Sequence, residues 1–516
     1  MKISFIEPNR FVASCTFSEK EIVKDAGFFF DFNYTKKWYT HNYATASALV
    51  KHFDVSAKNK IKQVSIEAIS WGRGIPKIPK DKKLDAHQLR AVKFCTTRNH
   101  SYLAFDAGLG KTPISVALIN EVVHENRALI IVPPFLVSNW VREIKEWQTE
   151  DYKIQVVSSG AEFELLPRTD ILIVPDSLIA RDNVSRSLYK HRFGIIIVDE
   201  VQRFLNASSL RTKSLYGSAD NSALVALADK RVFLSGTPIR RGPMDLYPVL
   251  KSNAWDSIEY LSHHHYGVRY CAAYRKNIGR GNFAWDYSGS CNLTELKDKI
   301  YSKFILRETL TDNLTDLKDK LIERVVTLDD KDKKTITKIE KTIFKDQALD
   351  EIIGSKDLGA IAEYRSALIK PLVRVSTEYI KNILEGSSDS LLVYAIHQDT
   401  IKNLEKSLKE YNPQSIYGPV KKTQRDAIEK DFQDKKIRVL IANINCMVGL
   451  NLTAGSRIVF VESSWDYTDN SQAISRAYRR GQNNIVIADH LVLAGTISEY
   501  VLRTVLKKKR TINKLI

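Results

Sequence analysis

Two separated blocks of short runs, apolar on both faces, constrain the fold most. The first block holds Ala128-Leu129-Ile130-Ile131-Val132, Ile171-Leu172-Ile173-Val174, Ile195-Ile196-Ile197-Val198 and Val232-Phe233-Leu234. The second holds Leu391-Leu392-Val393-Tyr394, Val439-Leu440-Ile441, Ile458-Val459-Phe460-Val461 and Ile485-Val486-Ile487. A strand with no polar face must be covered on both sides, which a parallel sheet between helix layers provides. Helix-period segments separate the runs. The chain therefore reads as α/β, with two parallel-sheet lobes.

With 516 residues there is room for roughly three or four folding units. Residues 1–55 form a small aromatic and basic α+β module, in which Phe28-Phe29-Phe30-Asp31-Phe32-Asn33-Tyr34-Thr35-Lys36-Lys37-Trp38-Tyr39 has the pattern of a hairpin. Residues 56–83 are a linker, because Trp71-Gly72-Arg73-Gly74-Ile75-Pro76-Lys77-Ile78-Pro79-Lys80 mixes structure breakers with solvated charge. Lobe 1 spans 84–253, a helical insertion and inter-lobe linker rich in Lys, Asp, Glu and Leu spans 254–385, and lobe 2 with a C-terminal helix spans 386–516.

Apolar residues make up 44% and charged residues 27%, which excludes a wholly disordered chain. The net charge of +18 favours a polyanionic partner, nucleic acid before an anionic membrane. No run of about 18 apolar residues is present, so a soluble intracellular protein is expected, and a monomer. The five cysteines are scattered without a Cys-x-x-Cys pair, which favours packed thiols over a disulfide framework or zinc ribbon. In His263-His264-His265 adjacent side chains diverge, so a shared metal is not expected.

Chemistry enters at strand ends. Leu103-Ala104-Phe105-Asp106-Ala107-Gly108-Leu109-Gly110-Lys111-Thr112-Pro113 runs from an apolar strand through a glycine loop into a helix start. Gly108 and Gly110 let backbone N–H groups close around phosphates, Lys111 reaches the outer phosphates, and the Thr112 hydroxyl can ligate Mg²⁺. An ordinary strand-to-helix turn is the bland alternative. The run 195–198 ends in Asp199-Glu200-Val201-Gln202, and a carboxylate pair there is costly unless it faces a metal or water. Asp199 would hold Mg²⁺ and Glu200 would deprotonate the attacking water. A third strand leads into Ser235-Gly236-Thr237-Pro238. In Gln472-Ala473-Ile474-Ser475-Arg476-Ala477-Tyr478-Arg479-Arg480-Gly481-Gln482 the spacing of Arg476 and Arg479 predicts one helical face, pointing guanidinium groups at a γ-phosphate. A solvated basic helix is the alternative.

Together with Gly449-Leu450-Asn451-Leu452-Thr453 and Trp465, these motifs resemble the superfamily 2 helicase-type ATPases of the Swi/Snf branch from residue 84 to the C-terminus. The resemblance implies two RecA-like lobes that bind ATP and Mg²⁺. It makes Gln88 a candidate adenine reader, adds Gly449 to the nucleotide site, and gives Gln202, Ser235 and Thr237 a coupling role. Pro133, Asn139, Tyr417, Gly418, Asn451 and Thr453 fall in segments that in this family follow the DNA backbone. Residues 1–55 resemble modules ahead of annealing-helicase-like members, so Lys36, Lys37 and Trp38 are candidate contacts to branched DNA, with a miniature aromatic core as the alternative.

Five positions depart from the pattern: Gln202 and Tyr478 stand where histidine is common, Asp466 and Tyr467 make Trp465-Asp466-Tyr467 out of Trp-Asn-Pro, and Glu308 follows Arg307 where a second base is usual. The implied activity is an ATP-dependent DNA translocase or helicase acting on duplex, forked or branched DNA, by branch migration, fork regression or annealing, in a bacterial or phage-infected cytoplasm or a eukaryotic nucleus. A strand-separating RNA or DNA helicase and a nucleotide-gated clamp without turnover are the alternatives.

Overall fold

The computed structural model describes residues 1–516 except 7–9, 26–27, 31–36, 41–48, 55–56, 58–75, 124–125, 219–222, 280, 302, 314–316, 318–319, 330–332, 345–346, 348, 356, 448 and 516. The chain divides into two compact units, Met1–Thr309 with Lys514–Ile516, and Leu310–Asn513.

The N-terminal module builds a four-stranded antiparallel sheet from β1 (Lys2–Ile6), β2 (Arg10–Ser14), β3 (Phe29–Phe30) and β4 (Trp38–Thr40), in the order β1-β2-β4-β3. The aromatic stretch is thus a hairpin, pairing Phe29 with Tyr39 and Phe30 with Trp38. Ile3, Phe11, Val23, Phe28 and Phe53 form its core, and Trp38 packs against it.

Next come β5 (His100–Phe105), β6 (Ala128–Val132), β7 (Ile154–Val156), β8 (Ile171–Pro175), β9 (Phe193–Val198) and β10 (Ala228–Ser235). They are followed by β11 (Tyr274–Gly279), β12 (Asn282–Asp286) and β13 (Ile305–Glu308). Seven of these form one sheet, ordered β13-β5-β10-β9-β6-β8-β7, with every pairing parallel. All of β6, β8 and β9 is buried, as the all-apolar runs demand, and each Val, Leu or Ile there contributes about 1.5–3 kcal/mol by leaving water. Because β10 lies between β5 and β9, with Ser235 level with Ala104 and Phe233 level with Val198, three strand ends meet at one edge.

The second unit carries β14 (Leu321–Leu328), β15 (Ser390–Ala395), β16 (Gln414–Ile416), β17 (Val439–Asn443), β18 (Gly455–Phe460) and β19 (Val486–Leu493). These form a parallel sheet in the order β14-β19-β18-β15-β17-β16. Its core joins Leu391, Val393, Val439, Ile441 and Val459 to helix residues such as Leu372, Ile380 and Leu404.

The stretch 254–385 holds helices such as His263–Tyr270, Leu293–Ile300 and Ile369–Gly386, yet it also gives an edge strand to each sheet, β13 and β14. Charges hid these strands. Glu323 is satisfied by Lys509 at 2.8 Å and Arg324 by Asp489 at 2.7 Å, so a charge-bearing segment can still pair along its backbone. The histidine run opens a helix, where the His263 ring meets Tyr247 and Tyr287 edge-on and the His264 ring meets Trp285. All five cysteines are free thiols. Among the described residues no helix is long and apolar enough to cross a membrane.

Candidate active site

The loop after β5 ends in the helix Lys111–Val122, whose N-cap is Gly110. Gly108 and Gly110 have φ of 90° and 73°, a left-handed backbone that side chains disfavour and that turns successive N–H groups inward. At Gly110 an added Cβ would also lie 2.1 Å from Gln88 Nε2, so the Gln88 amide would have to move off the loop. Gln88 is buried; its Oε1 accepts the Asp85 N–H at 2.8 Å and its Nε2 donates to the Leu109 carbonyl at 3.3 Å. Its contact is therefore with the glycine loop.

Lys111 Nζ donates to the carbonyls of Phe105 at 2.7 Å and Asp106 at 3.1 Å, in the mouth of the loop. Burial lowers its pKa, opposed by the carboxylates of Glu200, Asp199 and Asp106. Thr112, on the first helical turn, is half-buried.

Asp199 follows β9 and is buried, only 7% exposed. Trp140 Nε1 donates to its Oδ2 at 2.8 Å, and the Glu200 N–H donates to its Oδ1 at 2.8 Å. Desolvation first, then repulsion from Glu200, raises its pKa to about 6. A carboxylate kept under such strain is an apt cation ligand, because a nearby positive charge relieves both causes. Glu200 takes a left-handed conformation, φ 49°, that turns the chain out of the strand into the next helical turn.

Gln202 links two motifs. Its Nε2 donates to Glu200 Oε2, and its Oε1 accepts from Ser235 Oγ at 2.6 Å. Ser235 Oγ in turn accepts the Thr237 N–H at 2.9 Å. An amide thus makes the bridge in place of histidine, donating at one end and accepting at the other without titrating.

Arg307 was not among the residues singled out for the site, but it reaches the loop: its Nη2 pairs with Asp106 Oδ1 at 2.7 Å and its Nη1 donates to the Ala104 carbonyl at 2.8 Å. Glu308, the departure from the family pattern, is buried and takes a two-pronged ion pair from Arg90, both contacts 3.0 Å. Its acidity is matched locally. Neither role was legible, because the partners lie about 200 residues apart in sequence.

In the second unit the helix Tyr467–Ile474 stops before the arginines. Arg476 and Arg479 therefore do not share a helical face. They lie on successive tight turns, with Arg476 N–H donating to Ala473 at 3.2 Å and Arg479 N–H to Ala477 at 3.2 Å. Asp466 caps that helix, accepting the Thr468 N–H at 2.9 Å. Tyr478 donates its hydroxyl to the Leu317 carbonyl at 2.8 Å, a span that the shorter histidine side chain would not match.

Gln482 fastens the turn. Its Nε2 lies 3.0 Å from the carbonyls of both Thr453 and Gly455 and 3.2 Å from that of Ala477, while Leu452 N–H donates to Arg476 at 2.9 Å. Gly449, φ 91°, opens this segment. Asn451 is exposed, its N–H held by Glu429 at 2.7 Å, and Thr453 Oγ1 accepts from Gln433 at 3.0 Å.

The other residues expected to contact nucleic acid are dispersed. Pro133 is buried at the start of a helical turn, Asn139 is half-buried and accepts from Arg142, and the carbonyls of Tyr417 and Gly418 accept from Arg425 at 3.3 Å. Lys37 is exposed and Trp38 half-buried. Lys36 lies outside the described residues.

Residues 87–345, half the chain, match the family described as the SNF2-related domain, and residues 375–481 match the helicase conserved C-terminal domain. The DNA annealing helicase and endonuclease ZRANB3 of Mus musculus is 26% identical over 428 residues, 80% of this chain and 39% of its own length. The SWI/SNF-related matrix-associated actin-dependent regulator of chromatin subfamily A-like protein 1 of Xenopus laevis is 26% identical over 425 residues, 80% of this chain and 42% of its own. The chain thus spans about two fifths of these relatives. A solved Sulfolobus solfataricus SWI2/SNF2 ATPase core in complex with dsDNA aligns at TM-score 0.39 and 21% identity, covering 86% of this chain and 95% of that one. With a glycine loop, a carboxylate pair and a Ser-Gly-Thr-Pro turn on three adjacent strand ends, and a family match across half its length, this chain belongs to the SNF2-related family.

Proposed function

We propose that the protein is an ATP-dependent DNA translocase acting on forked or branched DNA. The observation that carries the reading is the bridge Glu200–Gln202–Ser235, which would tie the residue we assign to activate water to a turn on the neighbouring strand end. In this reading the loop N–H groups and Lys111 bind the phosphates of ATP, exchanging the Lys111 contacts to Phe105 and Asp106 for phosphate oxygens. Asp199 and the Thr112 hydroxyl fit a Mg²⁺ ion, since one is a buried carboxylate whose charge a cation would stabilise and the other sits on the first helical turn. Bound there, Mg²⁺ would neutralise charge on the phosphates. Glu200 orients water and takes its proton, with Gln202 holding the carboxylate in place. Arg476 and Arg479 act as arginine fingers, and Gln88, packed against the glycine loop, is the adenine reader.

Asn139, Tyr417, Gly418, Asn451 and Thr453 offer small polar groups and backbone to DNA phosphates, contacts that position without reading sequence. Pro133, being buried, would act by shaping its turn. Such a protein works where DNA is held: the cytoplasm of a bacterial or phage-infected cell, or a eukaryotic nucleus. A steady-state ATPase assay with no DNA, duplex, single strands and forks tests the reading. Stimulation by duplex supports translocation, stimulation by single strands alone replaces it with strand separation, and nucleotide binding without turnover replaces it with a clamp.

Loss of the bridge should cost coupling. Gln202→Ala removes a hydrogen bond to a charged group worth about 1.5 kcal/mol, so DNA-stimulated turnover should fall about tenfold. Turnover without DNA should fall less, and an equal fall in both would make Gln202 a support of Glu200 only.

The N-terminal module is read as the branch selector. Deleting residues 1–55 should leave duplex-stimulated turnover intact, because the motif set begins near residue 84. Trp38→Ala should weaken fork binding about fivefold or more, the loss expected of one stacked base, while linear duplex is bound as before. No loss on either DNA in competition binding at fixed salt would return Trp38 wholly to the core it already touches.

A further inference from the structure

Between the helices His263–Tyr270 and Leu293–Ile300 the chain forms a ribbon of two strands, β11 and β12, paired to no other strand among the described residues. Its register sets Arg275 opposite Trp285 and Asn277 opposite Phe283. Because side chains alternate along a strand, these four residues share one face. That face is open: Trp285 is 44% exposed and Phe283 53%. The aromatic planes are also held in place. The Arg275 guanidinium lies 5.1 Å from the Phe283 ring centre, and the His264 ring meets Trp285 at 4.5 Å and 62°.

Large aromatic surface left in water is unfavourable. Charge indicates what would cover it. From residue 274 to 286 the basic residues are Arg275, Lys276 and Arg280, and the only acid is Asp286. Asp286 is already engaged, accepting the Tyr274 hydroxyl at 3.3 Å and the Ser288 N–H at 2.8 Å. Among the described residues of the ribbon, the face of Trp285 and Phe283 carries the cation Arg275 and no acid, since alternation puts Lys276 and Asp286 on the other face. Flat aromatic surfaces beside a cation match a ligand that is itself flat, aromatic and anionic along its edge. Unpaired nucleotides have that chemistry, and stacking tolerates any base.

We propose that the β11–β12 ribbon is a stacking platform for unpaired bases at a DNA branch point, with Trp285 and Phe283 as the stacking surfaces and Arg275 beside them. This rests on the DNA-translocase reading for its setting. Duplex DNA, whose bases are already stacked, gains nothing from such a face.

The test uses the full-length chain in nucleotide-free competition binding at fixed salt. It compares a fork carrying unpaired nucleotides, with 2-aminopurine at the branch, against linear duplex. In Trp285→Ala/Phe283→Ala, fork affinity should fall about fivefold or more for each base unstacked, and quenching of 2-aminopurine by the parental protein should be lost. Affinity for linear duplex and duplex-stimulated ATPase should hold. Trp285→Phe/Phe283→Tyr should rescue both fork readouts. Should the double alanine variant melt earlier than the parent, Arg275→Ala, a substitution at an exposed side chain, carries the same comparison.

Parental fork affinity in these variants overturns the proposal, as do equal losses on fork and duplex, which would mark a phosphate clamp. Self-association of the parent that the alanine variant abolishes would assign the face to a second copy of the chain and also overturn it. Fork binding through the ribbon by a parent without DNA-stimulated ATPase would support the platform and sink the translocase reading, so the two fail separately.

Discussion

Arg479→Ala should lower DNA-stimulated ATP turnover on the order of 10³-fold or more while ATP affinity stays near parental. The asymmetry follows from when the charge matters. A guanidinium aimed at the transferring phosphoryl group meets little extra negative charge in the bound nucleotide and much more in the transition state, so its loss raises the barrier more than it weakens binding. Arg476→Ala should behave alike. The exposed neighbour Arg480 supplies the control, since its removal takes away the same formal charge. Single-turnover hydrolysis paired with nucleotide binding reads both quantities. If both alanine variants hydrolyse ATP at the parental rate, the second lobe has no part in the chemistry.

Glu200→Gln should abolish turnover, by about 10²- to 10⁴-fold for loss of the general base, and keep nucleotide binding. Lys111→Ala should do the reverse at the binding step, because it removes the ammonium that now fills the mouth of the loop. Amide and carboxylate are nearly isosteric, so Gln at 200 leaves the backbone turn and the Asp199 contacts in place. Trapped Mg-ATP complex in the Glu200→Gln protein, measured with a fluorescent nucleotide, checks the first expectation. Normal DNA-stimulated turnover in that variant would sink the assignment of Glu200.

Which features could be read from sequence follows from the range of the interactions behind them. The all-apolar runs β6, β8 and β9 declared their burial, and their order put the glycine loop, the carboxylate pair and the Ser-Gly-Thr-Pro turn on strand ends. Edge strands β13 and β14 were lost because paired charges interrupt their pattern. The Arg476 and Arg479 spacing suggested a helix, but spacing does not reveal that the helix ends at Ile474 and that the Arg476 N–H turns to the Ala473 carbonyl. Arg307 on Asp106, Arg90 on Glu308 and Trp140 on Asp199 are contacts between distant segments, for which no local pattern exists.

The knot at Gln482 sets a limit on how the second lobe can work. One side-chain amide, with the Leu452–Arg476 hydrogen bond beside it, clamps the segment carrying Asn451 and Thr453 to the turns carrying Arg476 and Arg479. Under the proposed function, the residues that grip the polymer and those that sense the fuel therefore have a single mechanical degree of freedom between them. Whatever shifts the track by a step must re-aim the arginines by the same motion, so stride length and firing cannot be tuned independently while that amide is in place.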